Sequence, residues 1–301
     1  MTLDQLRIFV AVAERENMTR AAEAVHITQS AVSGAIAALE TQHDIHLFHR
    51  VGRRIELTDV GRMFLDEARG ILARVDGAQQ ALSDWAGLRR GRLVLAASQT
   101  IAAYWLPERL TRFRRRYPDV VLDVAIANTE GTARAVLAGE AELGFVEGLL
   151  DDPALAQWAI GTDHMQLVGP PTAGSPPADP VTNAWLAGAE WVMREPGSGT
   201  RSSFEAAMRD RGLDPGRFAI ALTLPSNEAV LSAVRAGAGH AVLSRLVVAP
   251  ALESGALSAL PCDLPARPFF AMRHKERYRS KAAEALLEVI AGYEESVDWV
   301  I

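Results

Sequence analysis

The sequence predicts a mixed α/β chain in three parts: a small all-α domain carrying a two-stranded hairpin, one long helix, and a larger domain of two α/β lobes. Three observations predict it. Short segments with helical spacing fill the first 45 residues, a heptad spacing runs from about residue 58 to 88, and from Gly91 onward apolar strands alternate with helices. A length of 301 residues suits two or three domains. At 49% hydrophobic and 23% charged the composition is that of an ordinary globular protein. No apolar run reaches the roughly 18 residues of a membrane span, and Asp4, Glu14 and Glu16 interrupt the N-terminal stretch as they would not in a signal peptide. A cytoplasmic location is expected.

Net charge is −6, which argues against indiscriminate coating of nucleic acid but leaves local recognition open. Residues 1–90 hold 11 arginines against 12 carboxylates, so placement matters more than balance. His49, Arg50, Arg53 and Arg54 form a cationic run with no acid inside it. The single cysteine, Cys262, has no disulfide partner and no ligand-type neighbours, and reads as packing. Neither a metal nor a cofactor is expected.

Thr2 and Gln5 have capping-box spacing, and Leu3, Leu6, Phe9, Val10 and Ala13 then recur as the inner face of a helix that Asn17 would end. A second helix is expected from about Thr19 to Val25, with Ala21, Ala22 and Val25 inward. After a turn at His26–Ile27, Thr28 caps a third helix, QSAVSGAIAALE. Ala31, Val32, Ile36 and Leu39 face in, leaving Gln29, Ser30 and Ser33 outside near its start. Such helices form either a small polar-faced bundle or a helix-turn-helix, whose third helix offers its first residues to base edges. The next segment decides. IHLFHRVGRRIELT reads as an apolar anchor followed by a Gly-centred hairpin, a wing whose Arg50, Arg53 and Arg54 reach phosphates or the minor groove.

From Thr58 to about Leu88 the pattern is one long helix. Phe64, Ala68, Ile71, Val75, Ala78, Leu82 and Trp85 fall at steps of four and three. A seam of this kind packs on the C-terminal domain or pairs two chains, and a long helix leaving a DNA-binding module favours the second.

These motifs, ITQSAVSGAIAALE, then LFHRVGRRIELTDVGRMFL, then the long helix, resemble the LysR-type transcriptional regulators in order and spacing. The resemblance covers the whole chain. It implies a winged helix-turn-helix over residues 1–58, a linker and dimerisation helix over 59–90, and a periplasmic-binding-protein-like effector domain over 91–301, with lobe I at 91–162 and 265–301 and lobe II at 163–264. It further implies double-stranded promoter DNA and a small effector as ligands, assembly into homodimers or homotetramers, and RNA polymerase as a further partner. Two departures stand out: Asp44 where the family usually has Gly, and Gly34 and Ala37 where many relatives place basic residues.

In the C-terminal part, ligands of a parallel α/β sheet sit at the carboxyl ends of its strands. Those ends supply Ser98, Gln99 and Thr100, then Asn128 and Thr129, then Glu147, and in lobe II Ser198, Gly199, Thr200 and Arg201, then Ser226, Asn227 and Glu228. The stretch REPGSGTRSSFE, residues 194–205, is a Gly-rich turn opening onto a helix, a geometry suited to anions. It lacks the spacing of a P-loop or a dinucleotide site. It is either one wall of a sensor cleft or a helix cap with a surface arginine. As a cleft wall, Arg201 and the hydroxyls would hold a small anion, with Glu147 orienting Arg201 or selecting a protonated ligand oxygen. The expected effector is a sulfite- or sulfate-like oxyanion, with a small carboxylate or another anionic metabolite as the alternative; the turn resembles the branch with sulfur-assimilation and Calvin-cycle regulators. A serine hydrolase built on Ser198 or Ser202 with His164, His240 or His274 has no nucleophile-elbow pattern behind it. A plain solute-binding protein leaves the first ninety residues unexplained.

Overall fold

The computed structural model describes residues 1–51, 54–85, 91–171 and 180–294. Two compact units divide the chain, residues 1–85 with the stretch 137–140, and the remainder. Helix α1 (Leu3–Arg15) starts at the capping box: Gln5 N donates to Thr2 Oγ1 at 3.2 Å and Thr2 N donates to Gln5 Oε1 at 2.9 Å. Its buried stripe is Leu6, Phe9, Val12 and Ala13, while Leu3 is exposed. Val12 takes the place expected of Val10, because a step of three from Phe9 returns to the same face.

The left-handed stop falls at Glu16 (φ 45°), one residue before Asn17. Asn17 instead caps α2 (Met18–Ala24), its Oδ1 accepting from the N–H groups of Thr19 and Arg20, each at 2.9 Å. Two orphan donors satisfied by one side chain make the cap its better use. Helix α3 (Gln29–His43) is capped by Thr28, buries Val32, Ile36 and Leu39, and leaves Ala31 exposed, contrary to expectation. Asp44 closes it in left-handed geometry (φ 51°, ψ 47°), so aspartate serves where glycine would be usual.

Strands β1 (Phe48–Val51) and β2 (Arg54–Leu57) pair antiparallel as the wing. Arg53 at its tip and the side chain of Arg50 lie outside the described residues. Helix α4 (Asp59–Trp85) follows, with Thr58 Oγ1 accepting from Gly61 N at 2.9 Å and donating to His46 O at 2.8 Å. Phe9 stands at the centre of this unit, its ring 4.8 Å from that of Phe64 and 5.6 Å from that of Phe48. Ala68 is fully buried in the same core, with Phe64 and Ile71 packed against it. The first half of the expected dimerisation seam therefore closes its own unit. Val75 is half-buried, Ala78 exposed and Leu82 76% exposed; the side chain of Trp85 is not among those described.

In the second unit, β3 (Gly91–Ser98) lies parallel between β4 (Val120–Ala127) and β5 (Leu143–Glu147). A π-helical turn over 101–105, α5 (Leu106–Arg116) and α6 (Thr129–Ala138) make the crossovers. Strand β6 (Leu155–Asp163) ends lobe I. Lobe II begins with β7 (Met165–Gly169), then α7 (Asn183–Gly188), β8 (Glu190–Arg194), α8 (Gly199–Asp210), β9 (Ala219–Leu224), α9 (Asn227–Arg235), β10 (Ala241–Ser244), α10 (Arg245–Glu253) and β11 (Ser258–Leu260). Strand β7 pairs antiparallel with β10 and β11, β8 pairs parallel with β9, and a bridge between Trp191 and His240 joins the two sets. Strand β12 (Arg267–His274) returns to lobe I, running antiparallel between β5 and β6, and α11 (Lys281–Glu294) packs beneath with Leu286 and Ile290. The strand order β4-β3-β5-β12-β6 puts both inter-lobe crossings at one edge. Cys262 packs half-buried beside the lobe II core, and burial pushes its thiol up.

Gly61 tests the packing of the N-terminal unit. An added Cβ would lie 2.2 Å from the Leu47 carbonyl oxygen and 2.9 Å from Leu57 Cδ2. Gly61→Ala should therefore destabilise the protein by about 1–3 kcal/mol, despite alanine's better helix propensity, read as a lower urea midpoint in circular dichroism.

Candidate functional site

On the N-terminal unit, Gln29 and Ser30 are exposed at the start of α3 and Ser33 is half-buried one turn on. Gln29 Nε2 donates to Ser33 Oγ at 3.0 Å, and the hydroxyls of Thr28 and Ser30 are 3.0 Å apart. Short polar side chains thus cover the first turns of the helix. The wing is tied to this helix by Glu40, whose Oε1 accepts from Leu47 N at 2.7 Å and Phe48 N at 3.2 Å. Between them lies a groove of about 710 Å³ lined by Gln29, Ser33, Thr19, His49 and Arg54. The structure therefore brings Gln29, Ser33 and Arg54 to one concave face. Thr19 and His49 join them by folding alone.

Within the second unit, the carboxyl ends of β3 and β5 and the starts of α6, α8 and α9 meet in a cleft between the lobes. Ser98, Thr100, Thr129, Glu147, Ser198, Thr200 and Asn227 are all buried there. Thr129 Oγ1 accepts from Gly199 N at 3.1 Å and donates to Glu147 Oε2 at 3.3 Å, so the Gly-rich turn of lobe II rests on lobe I. A Cβ on Gly199 would lie 2.6 Å from Thr129 Oγ1 and 2.8 Å from the Glu147 carbonyl oxygen. Glycine is required there by the close approach of the lobes. Ser198 is the N-cap of α8, yet its side chain makes no capping bond.

Asn227 is used up in holding the lobes together. Its Oδ1 accepts from Arg194 Nη1 at 2.6 Å, its Nδ2 donates to Thr100 Oγ1 at 3.1 Å, and its N–H donates to Gln99 Oε1 at 3.0 Å. Gln99 also donates to Pro225 O at 2.9 Å. Asn128 caps α6 through Oδ1 and reaches Glu195 Oε1 at 3.3 Å with Nδ2. These two asparagines are bridges rather than free ligand contacts. At the edge, Tyr104 donates to Glu228, and burial with that carboxylate pushes the phenol up.

Arg201 does not join the hydroxyls. Its Nε donates to Glu205 Oε1 at 2.7 Å and its Nη1 to Arg194 O at 3.1 Å, so it braces the turn from its own lobe. Glu147, expected to orient Arg201, faces Arg267 instead, 3.8 Å from Nη2. Arg267, at the start of β12, is 4% exposed and, like Arg194 on Asn227, is a buried guanidinium where the lobes meet. Its Nη1 donates to Thr200 Oγ1 at 3.2 Å and its Nε to Asp163 Oδ2 at 2.7 Å. Nη2 lies 2.6 Å from the same Asp163 oxygen but makes no directed hydrogen bond, and Ser98 Oγ is buried without a partner among the described residues. Asp163 Oδ1 accepts from Ser244 Oγ at 2.7 Å. The buried Ser98 hydroxyl, and an Arg267 nitrogen ion-paired to Asp163 without a directed hydrogen bond, are groups a polar ligand could engage.

The N-terminal residues 3–62 match the family described as "Bacterial regulatory helix-turn-helix protein, lysR family", and residues 86–294 match "LysR substrate binding domain". The chain belongs to the LysR family of transcriptional regulators. It is 32% identical over 303 residues to the "Probable RuBisCO transcriptional regulator" of Nostoc sp., covering 99% of this chain and 90% of that protein. It is also 32% identical over 291 residues to the "Uncharacterized HTH-type transcriptional regulator YeiE" of Escherichia coli K12, covering 96% of each. Among solved structures, CbnR, "a LysR family transcriptional regulator", superposes with a TM-score of 0.70 at 22% identity, over 99% of this chain and 100% of that one. The Synechocystis PCC6803 CcmR regulatory domain, solved in complex with 2-PG, superposes with a TM-score of 0.61 at 24% identity, over 69% of this chain and 99% of that domain.

As a LysR-type protein the chain is a DNA-binding transcriptional regulator with an effector-binding domain, and not an enzyme. Two of the three histidines weighed for hydrolysis are engaged elsewhere: His240 packs edge-on to Trp185 at 4.8 Å, and His274 Nδ1 accepts from Glu276 N. Sequence reasoning missed Arg194, Arg267 and Asp163. One signal was available for Arg201, whose i,i+4 spacing to Glu205 marks a helix-surface ion pair.

Gly199→Ala should force lobes I and II apart at Thr129 and Glu147. The expected outcome is a loss of about 1–3 kcal/mol and faster amide exchange at position 199 and its neighbours. Unchanged exchange there would show that the turn is not pressed against lobe I.

Proposed function

We propose that this regulator reads promoter DNA through Gln29, Ser30 and Ser33, anchors on phosphates through Arg54 with Arg50 and Arg53, and is switched by a small, singly charged oxyanion bound between the lobes. The groove between α3 and the wing sets Arg54 of the wing opposite Gln29 and Ser33 of the helix, with Glu16 and Glu40 also in its lining, which leaves phosphate contact to Arg54 and base contact to the helix. Pairing of half-sites requires two chains. The far end of α4 supplies the surface, since Leu82 is 76% exposed and Ala78 lies on the same helix one turn before it. Arg54→Ala should lower specific and nonspecific affinity together and reduce the slope of log K against log salt by about one unit, measured by fluorescence anisotropy. Ser33→Ala should keep the slope and relax base preference at one position of each half-site.

The observation that carries the effector reading is the cluster at Arg267. Its Nη1 donates to Thr200 Oγ1 at 3.2 Å, and its Nη2 and Ser98 Oγ are buried without a directed hydrogen bond among the described residues. Two carboxylates, Asp163 and Glu147, already face this one arginine. A doubly charged anion would be repelled, and a ligand oxygen bearing a proton could donate to Glu147. Sulfite in its protonated form fits both conditions. Sulfate fits only the size. The match to the CcmR domain solved with 2-PG makes 2-PG the comparison to exclude.

In thermal-shift titrations with sulfite, sulfate, phosphate, acetate and 2-PG, sulfite should stabilise most, by about 2.7 kcal/mol at a hundredfold excess over its Kd. Thr200→Val should abolish that shift. Greater stabilisation by 2-PG would replace sulfite as the effector, and no stabilisation by any of the five would remove the anion site.

A further inference from the structure

Asp163 and Arg267 are register partners at the ends of β6 and β12, the strands on either side of the two inter-lobe crossings. Both are almost wholly buried, at 2% and 4% exposed. The carboxylate touches both lobes: Oδ2 pairs with Arg267 of lobe I, and Oδ1 accepts from Ser244, the N-cap of α10 in lobe II. Arg267 in turn reaches Thr200 in the first turn of α8. An anion that enters the cleft must therefore share a guanidinium that already has a carboxylate on it.

The geometry points to Asp163 as a built-in competitor for the effector, a residue that sets effector affinity and charge preference without contacting the ligand. This inference rests on the anion site proposed above and adds how that site is tuned. The Asp163 negative charge lies beside any anion paired with Arg267, and in a buried site such repulsion is poorly screened. Its strength grows with the charge on the ligand. Asp163 thus holds weak binding at ordinary anion concentrations and penalises dianions more than monoanions. A merely structural role would predict the opposite response to its removal, since loss of a buried partner loosens the site.

Asp163→Asn keeps the shape and one hydrogen-bond acceptor while removing the charge. Glu147, 3.8 Å from Nη2, still balances Arg267, which favours folding of the variant. Isothermal titration with sulfite, sulfate and phosphate should show affinity rising roughly ten- to hundredfold, with the largest gain for sulfate. Ser244→Ala removes the hydroxyl that occupies Asp163 Oδ1, leaving both oxygens free for a bidentate hold on Arg267. In that variant anion affinity should fall several-fold. Opposite shifts in the two variants support the competitor. Equal or weaker binding in Asp163→Asn overturns it, and if that variant fails to fold, unchanged or tighter binding in Ser244→Ala overturns it. If the wild-type protein binds none of the three anions, the effector reading itself falls, a result separate from any difference between variants.

Discussion

Burying Arg267 and Asp163 at the ends of the crossing strands imposes a condition that the rest of the cleft is arranged to meet. A guanidinium and a carboxylate taken out of water each lose several kcal/mol of hydration, recovered only where geometry and further hydrogen bonds are good. Asp163 therefore needs Ser244 on its second oxygen, and Arg267 needs Thr200 on its second nitrogen. Both of those groups belong to lobe II, whereas the ion pair itself ends two strands of the lobe I sheet. Solvation of one pair thus fixes where α8 and α10 begin relative to that sheet. The hydroxyls of the site come with them, because Ser198 and Thr200 stand on the first turn of α8.

Much of this architecture was legible because local rules decide it. Thr2 with Gln5, Thr28 ahead of α3, and the run from Leu47 to Leu57 are short patterns whose partners lie within a few residues. Errors arose where two local uses competed. Asn17 suits a left-handed stop and an N-cap alike, and its side chain went to the cap because two N–H groups waited there. Phe64 and Ile71 have heptad spacing, but so does any helix that lies on a core, and Phe9 offered a surface nearer than a second chain. Strand ends could be placed from the alternation of elements, which is why Ser98, Thr100, Thr129, Glu147, Ser198 and Thr200 were found together.

The arginines were not legible in the same way. Arg201 stands at a helix start after a Gly-rich turn, the position from which an anion is normally met, yet Glu205 lies one turn further along and claims it. Arg267 stands more than sixty residues later in the chain, at the head of an apolar strand, and nothing within its own segment says that it faces Asp163. Sheet register across a hundred residues makes that pair, and the register of neighbouring strands so far apart in sequence is a property of the whole sheet rather than of either segment. Gly199 meets a packing need that its turn does not announce. Anion binding by backbone N–H groups explains a Gly-rich turn, but Gly199 already gives its N–H to Thr129 and is small because lobe I leaves no room for a Cβ.

What the ligand must contribute follows from which bonds already exist. Gln99, Thr100, Asn128 and Thr129 each make a hydrogen bond across to lobe II, so these groups are already engaged between the lobes. An anion entering beside Thr200 exchanges one partner for another, and a neutral exchange of hydrogen bonds contributes little net free energy. A ligand moves the equilibrium between lobe arrangements only through its different affinity for them. That difference must come from the Ser98 hydroxyl, from the Arg267 nitrogen that pairs with Asp163 without a directed hydrogen bond, and from the charge that the ligand places against Asp163 and Glu147. Selectivity in such a cleft is set less by the number of donors than by how much negative charge one arginine, already shared by two carboxylates, can still accept.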